Sequence, residues 1–199
     1  MNKLSVVIPC YNEAQTLADV VAKVGGADTA GLALEIVIVD DCSADGSAAI
    51  AEGLAKSDPR IRVFRHDVNQ GKGAALRTGF AAASGDLVIV QDADMEYDPA
   101  DYVKLIAPIA NGDADVVYGS RFLERDATEA HYLLHGLANH FLTALSNLLT
   151  GLKLTDMETC YKLVPKRVLD QITITENRFG IEPEITAKLA HMKPKLRLA

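Results

Sequence analysis

The 199-residue sequence predicts an α/β fold, an open and mostly parallel sheet flanked by helices. Three observations lead there. Short continuous apolar runs at 6–8, 36–39 and 87–90 suit strands buried on both faces, whereas half-exposed strands would alternate polar and apolar residues. Segments of helical periodicity fall between the runs, as the crossovers of a parallel sheet require. The runs also stop on acids or glycines, which puts polar chemistry at the carboxyl edge where open α/β sheets bind ligands.

The first strand is expected over 5–8, ended by Pro9 because proline cannot donate to a ladder. A turn leads into a helix over 13–24, with Leu17, Val20, Val21 and Val24 on one face and Gly25 and Gly26 closing it. A second strand at 36–39 runs into Asp40 and Asp41; Gly46 permits a tight turn, and Ser47 is placed to cap a helix over 48–55. A third, shorter strand is expected at 61–64. Gly71 and Gly73 then open an alanine-rich helix reaching Ala83. A glycine-rich helix start exposes backbone N–H groups that favour anions, although the spacing matches neither a P-loop nor a dinucleotide fingerprint. The fourth strand, 87–90, ends on Asp92, Asp94, Glu96 and Asp98, and Pro99 behind Asp98 marks a capped helix through Ile109. A fifth strand at 116–118 leads to Gly119, Ser120 and Arg121, and residues 122–130 read as a loop. Over 131–149 an apolar helical stripe runs from Leu134 to Leu149, with His131, His135, Asn139 and Thr143 on the opposite face. Asp156 and Glu158 precede a strand-like run at 161–164. A last helix begins near Pro183 and covers 185–191.

Between Thr78 and Val103 there is no Lys or Arg, so the acids after the fourth strand have no countercharge close in sequence. Carboxylates this crowded resist ionising together unless a cation joins them. Hard oxygen donors on a short loop suit Mg²⁺ or Mn²⁺. A formal charge of −7, with no basic cluster beyond 193–197, argues against wholesale nucleic-acid binding. Cys10, Cys42 and Cys160 stand apart without a CxxC pair, so neither a disulfide framework nor a zinc site is indicated. The start lacks the features of a signal peptide, and Asn139, His140 and Asn147 interrupt the one long apolar stripe. A single domain in the cytoplasm is the expectation.

Val-Val-Ile-Pro-Cys-Tyr-Asn-Glu at 6–13, Val39, Asp40 and Asp41 with Asp45 and Gly46, the stretch 69–73, and Asp92, Ala93 and Asp94 together resemble family 2 glycosyltransferases of the GT-A fold. Gly119 to Phe122, 156–162 and 181–184 resemble the dolichyl-phosphate or polyprenyl-phosphate mannosyltransferase branch. The resemblance implies that Pro9, Tyr11 and Glu13 line a nucleotide pocket, with Asp40 accepting from the base and Asp41 framing the site. It places Lys72, Asp92 and Ala93 on the sugar nucleotide, Asp94 and Glu96 at the metal, and Arg121 on a phosphate. Arg121, His131, His135 and Glu158 fall on the acceptor side, with Asp156 as the candidate catalytic carboxylate. The implied reaction is metal-dependent, inverting transfer of mannose or glucose from GDP-mannose or UDP-glucose to a polyprenyl phosphate. A phosphate with its second pKa near about 6 is mostly a dianion at neutral pH and attacks without a general base. Members of this branch continue past the last helix, so the chain is expected to be truncated at its C-terminus. Peripheral contact with the inner face of the membrane and a homo-oligomeric state are compatible with this reading. Two other functions compete. A nucleotidyltransferase would want a glycine-rich basic segment after the first strand, where this chain has the acidic, glycine-free stretch 9–13. A sugar-nucleotide-binding module without turnover is the other.

Overall fold

The computed structural model describes residues 1–122 and 131–199, with side chains of one helix described from Leu137 onward. In chain order the elements are β1 (Lys3–Cys10), α1 (Leu17–Gly25), β2 (Ala33–Asp40), α2 (Ser47–Ser57), β3 (Ile61–Arg65), α3 (Lys72–Ala82) and β4 (Leu87–Val90). A 3₁₀ turn (Pro99–Asp101) then leads into α4 (Tyr102–Ala110), followed by β5 (Val117–Tyr118), α5 (His131–Thr150), β6 (Lys162–Pro165), α6 (Lys166–Leu169) and α7 (Ile181–Ala190). The strands form one sheet in the order β3-β2-β1-β4-β6-β5. β1 to β4 run parallel, and β6 is antiparallel to both β4 and β5.

The continuous apolar runs work as predicted because successive side chains feed opposite cores. Val6, Ile8, Ile36, Ile38 and Ile89 pack with Leu17, Val20 and Val24 of α1 and Tyr102 and Ile106 of α4 on one face. Val7, Val37, Val39, Val88 and Val90 pack with Leu76 and Phe80 of α3 and Ile181, Ile185 and Leu189 of α7 on the other. Chain termination differs from expectation in three places. Pro9 lies inside β1, opposite Val39. The Val7 carbonyl accepts from Gln91 on the β4 side and the Cys10 carbonyl from Asp41 on the β2 side. The nitrogen of Pro9 therefore faces the β4 side, where β4 has already ended at Val90, and the missing donor leaves no ladder bond unmade. Ser47 is the first residue of α2 rather than its cap; the Asp45 carboxylate accepts from its N–H at 3.0 Å. Residues 197–199 return to the β5 edge, with Leu198 bridging Val116 in parallel and the Arg197 guanidinium on Asp115. The short α6 has no periodic signal long enough to read from sequence. The expected loop at 122–130 lies, apart from Phe122, outside the described residues.

Candidate active site

A cavity of about 360 Å³ opens at the carboxyl edge, where β1, β2 and β4 deliver their ends beside the start of α3. Pro9, Tyr11, Glu13, Asp41, Lys72, Asp92, Ala93 and Asp94 line it, so eight of the residues singled out from sequence share one wall. The turns after β1 and β2 are laced together. The Asn12 and Glu13 N–H groups donate to the hydroxyls of Ser43 and Ser47, and the Asn12 amide oxygen accepts from Ala44. Asn12 and Cys42, each two residues past its strand, are left-handed at φ 58° and 63°. This is strained backbone of the kind that the surrounding hydrogen bonds must hold.

The acids divide by environment. Asp40 is fully buried; its Oδ2 faces Arg65 Nε at 3.4 Å and the Ser43 N–H at 3.3 Å. Its Oδ1 is buried with no hydrogen-bond partner, an acceptor with capacity for an N–H donor. Asp41 is equally buried but fully engaged, accepting from the Gln70 and Gly71 N–H groups and meeting His66 Nδ1 at 2.7 Å. Asp92 does have a countercharge, supplied from the glycine-rich helix. Lys72 Nζ lies 2.9 Å from its Oδ2 and 3.2 Å from Glu182 on α7. Burial alone would lower the lysine's pKa, but the surrounding negative charge, with Asp92 and Glu182 among it, holds it well above the ordinary value. The isolation inferred from sequence is therefore corrected for Asp92, and also for Asp86 and Asp101. Asp86 accepts from the Asn2 and Lys3 N–H groups, and Asp101 pairs with Lys104 at 2.9 Å. Asp98 caps the 3₁₀ turn, accepting from the Ala100 N–H at 3.0 Å.

The glycine-rich start is not the open anion cradle read from sequence. Its Gln70 and Gly71 N–H groups go to Asp41, and the Ala74 N–H donates to the carbonyl of Asn177 at 3.1 Å. A Cβ on Gly71 would lie 2.4 Å from that carbonyl oxygen, and one on Gly73 2.3 Å from the carbonyl of Glu176. The glycines make room for a strap, residues 175–180, that crosses the helix start and brings Arg178 and Phe179 to the cavity. Sequence reasoning missed both residues. The signal available was Gly73, since Gly71 is called for by its own φ of 96° whereas a glycine in a helical first turn that no positive φ requires often marks close approach of another backbone.

Arg121 and Asp156 form a second constellation. Asp156, 1% exposed, accepts from Arg121 Nε at 2.8 Å, Nη2 at 3.0 Å and the Arg121 N–H at 3.2 Å, and from the Asn139 amide at 2.9 Å. Burial works against its charge, but the bonds from Arg121 and Asn139 prevail and hold its pKa below the usual range. Asn139, Thr143 and Asn147 face inward on α5, while Leu137, Phe141, Leu142, Leu145, Leu148 and Leu149 are exposed. The helix is thus turned inside out relative to an ordinary amphipathic helix. A second open cavity of about 360 Å³ lies between this inner face and Phe122, whose ring sits 4.7 Å from that of His140. Glu158 is half-buried, its pKa raised by burial and by nearby Glu182. The side chains of His131 and His135 lie outside the described residues.

Among the described residues no three His, Cys, Asp or Glu side chains converge as a closed metal site would need. The donors fit an open one. Asp94 is exposed on the cavity wall, with Oδ1 accepting from the Glu96 N–H at 3.0 Å, and Asp92 stands beside it. Mg²⁺ and Mn²⁺ are commonly held by one or two carboxylates, with water and substrate phosphates completing the shell. Glu96 is exposed, does not line the cavity and lies instead within the field of Arg121.

Residues 5–173 match the family model described as glycosyl transferase family 2. The chain is 39% identical over 127 residues to the dolichol-phosphate mannosyltransferase of Pyrococcus furiosus, covering 64% of this chain and 35% of that protein. It is 31% identical over 185 residues to the undecaprenyl-phosphate 4-deoxy-4-formamido-L-arabinose transferase of Salmonella paratyphi A, covering 92% and 55% respectively. The chain thus spans about half or less of the length of these curated relatives. Among solved structures it is similar to glucosyl-3-phosphoglycerate synthase from Mycobacterium tuberculosis, in complex with Mg²⁺ and uridine diphosphate (TM-score 0.75, 22% identity, 100% of this chain and 68% of that one). It is also similar to the mannosyltransferase PcManGT from Pyrobaculum calidifontis, in complex with GDP-Man and Mn²⁺ (TM-score 0.68, 19% identity, 98% and 53%). A sheet of this order, the motifs at its carboxyl edge and a match across most of the sequence agree: the chain belongs to glycosyl transferase family 2 and has the GT-A fold.

Proposed function

We propose that this chain transfers a hexose, mannose or glucose, from GDP-mannose or UDP-glucose to a polyprenyl phosphate, with inversion, at the cavity between β1, β4 and α3. The observation that carries the reading is the meeting of Tyr11 with the Asp92 and Asp94 carboxylates on one cavity wall at the carboxyl edge; Asp40, with its unpartnered Oδ1, is not on that wall but directly precedes Asp41, which is. Uracil and guanine each offer a ring N–H to an acceptor such as Asp40. The wall carries four carboxylates, Glu13, Asp41, Asp92 and Asp94, against the cations Lys72 and Arg178. A diphosphate entering there needs further positive charge, and Asp94 with Asp92 would hold Mg²⁺ or Mn²⁺ for that purpose. Such a cation, when bound, neutralises charge on a departing diphosphate.

The chain's own residues then divide the work. Tyr11 offers an exposed ring to the donor, and Lys72, fixed between Asp92 and Glu182, holds the Asp92 carboxylate in place. Arg121, oriented by Asp156, presents its guanidinium to a phosphate. Asp156 has its oxygens committed to Arg121 and Asn139, which suits an acceptor that needs no general base. The relatives' names speak for a polyprenyl phosphate of this kind, and the exposed apolar face of α5 supports approach to a membrane surface from the Arg121 side. No helix among the described residues is long and apolar enough to cross a membrane.

Calorimetric titration of GDP and UDP with and without Mn²⁺, followed by transfer assays on a short polyprenyl phosphate and the matching alcohol, tests the reading. Metal-dependent binding of one nucleotide and transfer to the phosphate alone are expected. Efficient transfer to the alcohol, abolished by Asp156→Asn, would restore a general-base mechanism. Binding without transfer to either acceptor would leave a sugar-nucleotide-binding module.

A further inference from the structure

We propose that Arg178 binds the donor's diphosphate, an assignment that rests on the sugar-nucleotide reading above. Its side chain lies on the exposed strap before α7 and lines the cavity together with Lys72, Asp92 and Asp94. The state of the nearby cations decides the matter. Lys72 is already taken by Asp92 and Glu182, and Arg121 is gripped through two nitrogens by Asp156. Of the two cations in the described wall, Arg178 is the one that makes no hydrogen bond or ion pair. A guanidinium in that state is available to an anion, and its planar fork can meet two phosphate oxygens at once.

The strap that carries Arg178 is firmly seated. Glu184 of α7 accepts from the Thr175 N–H at 2.9 Å, the Thr175 hydroxyl at 2.7 Å and the Glu176 N–H at 2.8 Å. From the other side Arg77 of α3 donates to the Glu176 carbonyl at 2.7 Å and to the Asn177 side-chain oxygen at 2.5 Å. With Gly71 and Gly73 bare, the Asn177 carbonyl reaches the Ala74 N–H. Three of the N–H groups around the helix start, those of Gln70, Gly71 and Ala74, are thereby taken by Asp41 and Asn177. In exchange the same crossing delivers a charged side chain to the cavity rim. The helix start serves as the seat, and Arg178 is the cationic side chain of the wall left to meet the anion.

Titration calorimetry of the wild type, Arg178→Ala and Arg178→Lys, each with Mn²⁺ present, tests this with UDP and GDP and with uridine and guanosine. The alanine variant is expected to weaken whichever nucleoside diphosphate the wild type binds by roughly 10- to 100-fold, the loss of a charge-assisted contact. Binding of the nucleoside should be unchanged, the lysine variant should recover part of the loss, and the melting temperature should change little because the guanidinium makes no hydrogen bond or ion pair, only its stem lying over Gly71. An alanine variant that binds the diphosphate as the wild type does overturns the assignment. So does an equal loss for nucleoside and diphosphate, or an effect confined to the KM of the phosphate acceptor. A wild type that binds neither nucleotide removes the sugar-nucleotide reading itself, an outcome plainly distinct from a wild type and variant that bind alike.

Discussion

Replacing Asp156 with asparagine probes the constellation on which the acceptor side depends. The carboxylate divides its four bonds evenly: Oδ2 takes Arg121 Nε and the Arg121 N–H, and Oδ1 takes Arg121 Nη2 and the Asn139 amide. An asparagine retains one oxygen, so whichever way its amide turns, two donors meet an NH₂ group. At least one of the lost bonds comes from the guanidinium, and a charge-assisted bond contributes about 1.5–3 kcal/mol. Removing one partner of a buried ion pair costs about 3–5 kcal/mol, and the lower end applies here because the Arg121 side chain is 28% exposed and partly screened. About 3 kcal/mol in a chain of 199 residues corresponds to a fall in melting temperature of about 6–12 °C. Differential scanning calorimetry at pH 7 reads this directly. Arg121→Met should cost at least as much, since it leaves the buried Asp156 carboxylate without its countercharge, held only by the residue-121 N–H and the Asn139 amide, and a double-mutant cycle should show coupling above about 0.5 kcal/mol. A fall under about 2 °C, or additive effects of the two substitutions, would refute the claim that Asp156 exists to hold Arg121. The linkage sign gives a second check. With its pKa depressed in the folded state, Asp156 contributes stability that is present above the unfolded carboxylate pKa of about 3.9 and is lost as pH falls through the lower folded value. The gap between wild type and Asp156→Asn should therefore narrow on acidification, and a gap constant to below pH 3 would contradict it.

Three further outcomes follow from the fold. Gly73→Ala sets a Cβ against the Glu176 carbonyl, a backbone atom that cannot step aside, so the strap must lift; a loss of about 1–3 kcal/mol by denaturant titration is expected, with weaker nucleoside diphosphate binding alongside it. Gln91→Leu leaves the buried Tyr102 and Tyr161 hydroxyls, now 2.8 and 2.7 Å from the amide oxygen, without an acceptor, which should destabilise the chain by about 2–5 kcal/mol in the same measurement. Glu35 is buried at the amino edge of the sheet. Although desolvation opposes its charge, bonds from Ser5, Ser84 and Lys3 bring its pKa down to about 2. Its contribution is present above about pH 4.3 and lost as pH falls toward 2, so Glu35→Gln should flatten the acid limb of a melting-temperature profile between pH 5 and pH 2 while lowering stability at pH 7.

The parallel strands are legible in the sequence because a strand buried on both faces has only one pattern open to it, an unbroken apolar run. The two core-facing helix stripes, Leu17 to Val24 on α1 and Leu105 with Ile106 on α4, are legible for the related reason that burial imposes helical spacing. Much of the cavity wall is legible as well, since residues at the ends of adjacent parallel strands are gathered by the sheet itself. Side chains that meet across long separations are not. Lys72 and Glu182 stand 110 positions apart, and Arg178 enters the wall from a strap whose course nothing local specifies. Buried Lys162 shows the same limit. Its charge reads as surface from sequence, yet it is 3% exposed, lies over the Tyr118 ring at 5.1 Å and has its pKa lowered to about 8 by burial, against the opposing pull of Glu182.

Helix α5 shows why a hydrophobic stripe does not by itself state which way a helix faces. Periodicity places Leu137, Phe141, Leu145 and Leu148 on one side and Asn139, Thr143 and Asn147 on the other, and both orientations satisfy that pattern. The choice is made by what the helix packs against. The segment beneath it presents the Asp156 carboxylate, the Met157 N–H and the backbone of Leu154, and leucines set there would strand each of these polar groups. Asn139, Thr143 and Asn147, four residues apart, supply a donor to Asp156, an acceptor to Met157, and both donor and acceptor to Leu154. Leucines set against that polar floor would leave each group stranded at about 1–3 kcal/mol apiece, and would not realise in full the roughly 1.5–3 kcal/mol that an apolar side chain gains in an apolar setting. The inversion therefore originates in the Arg121–Asp156 pair: a helix recruited to hold a buried carboxylate turns its polar side inward, and its leucines outward.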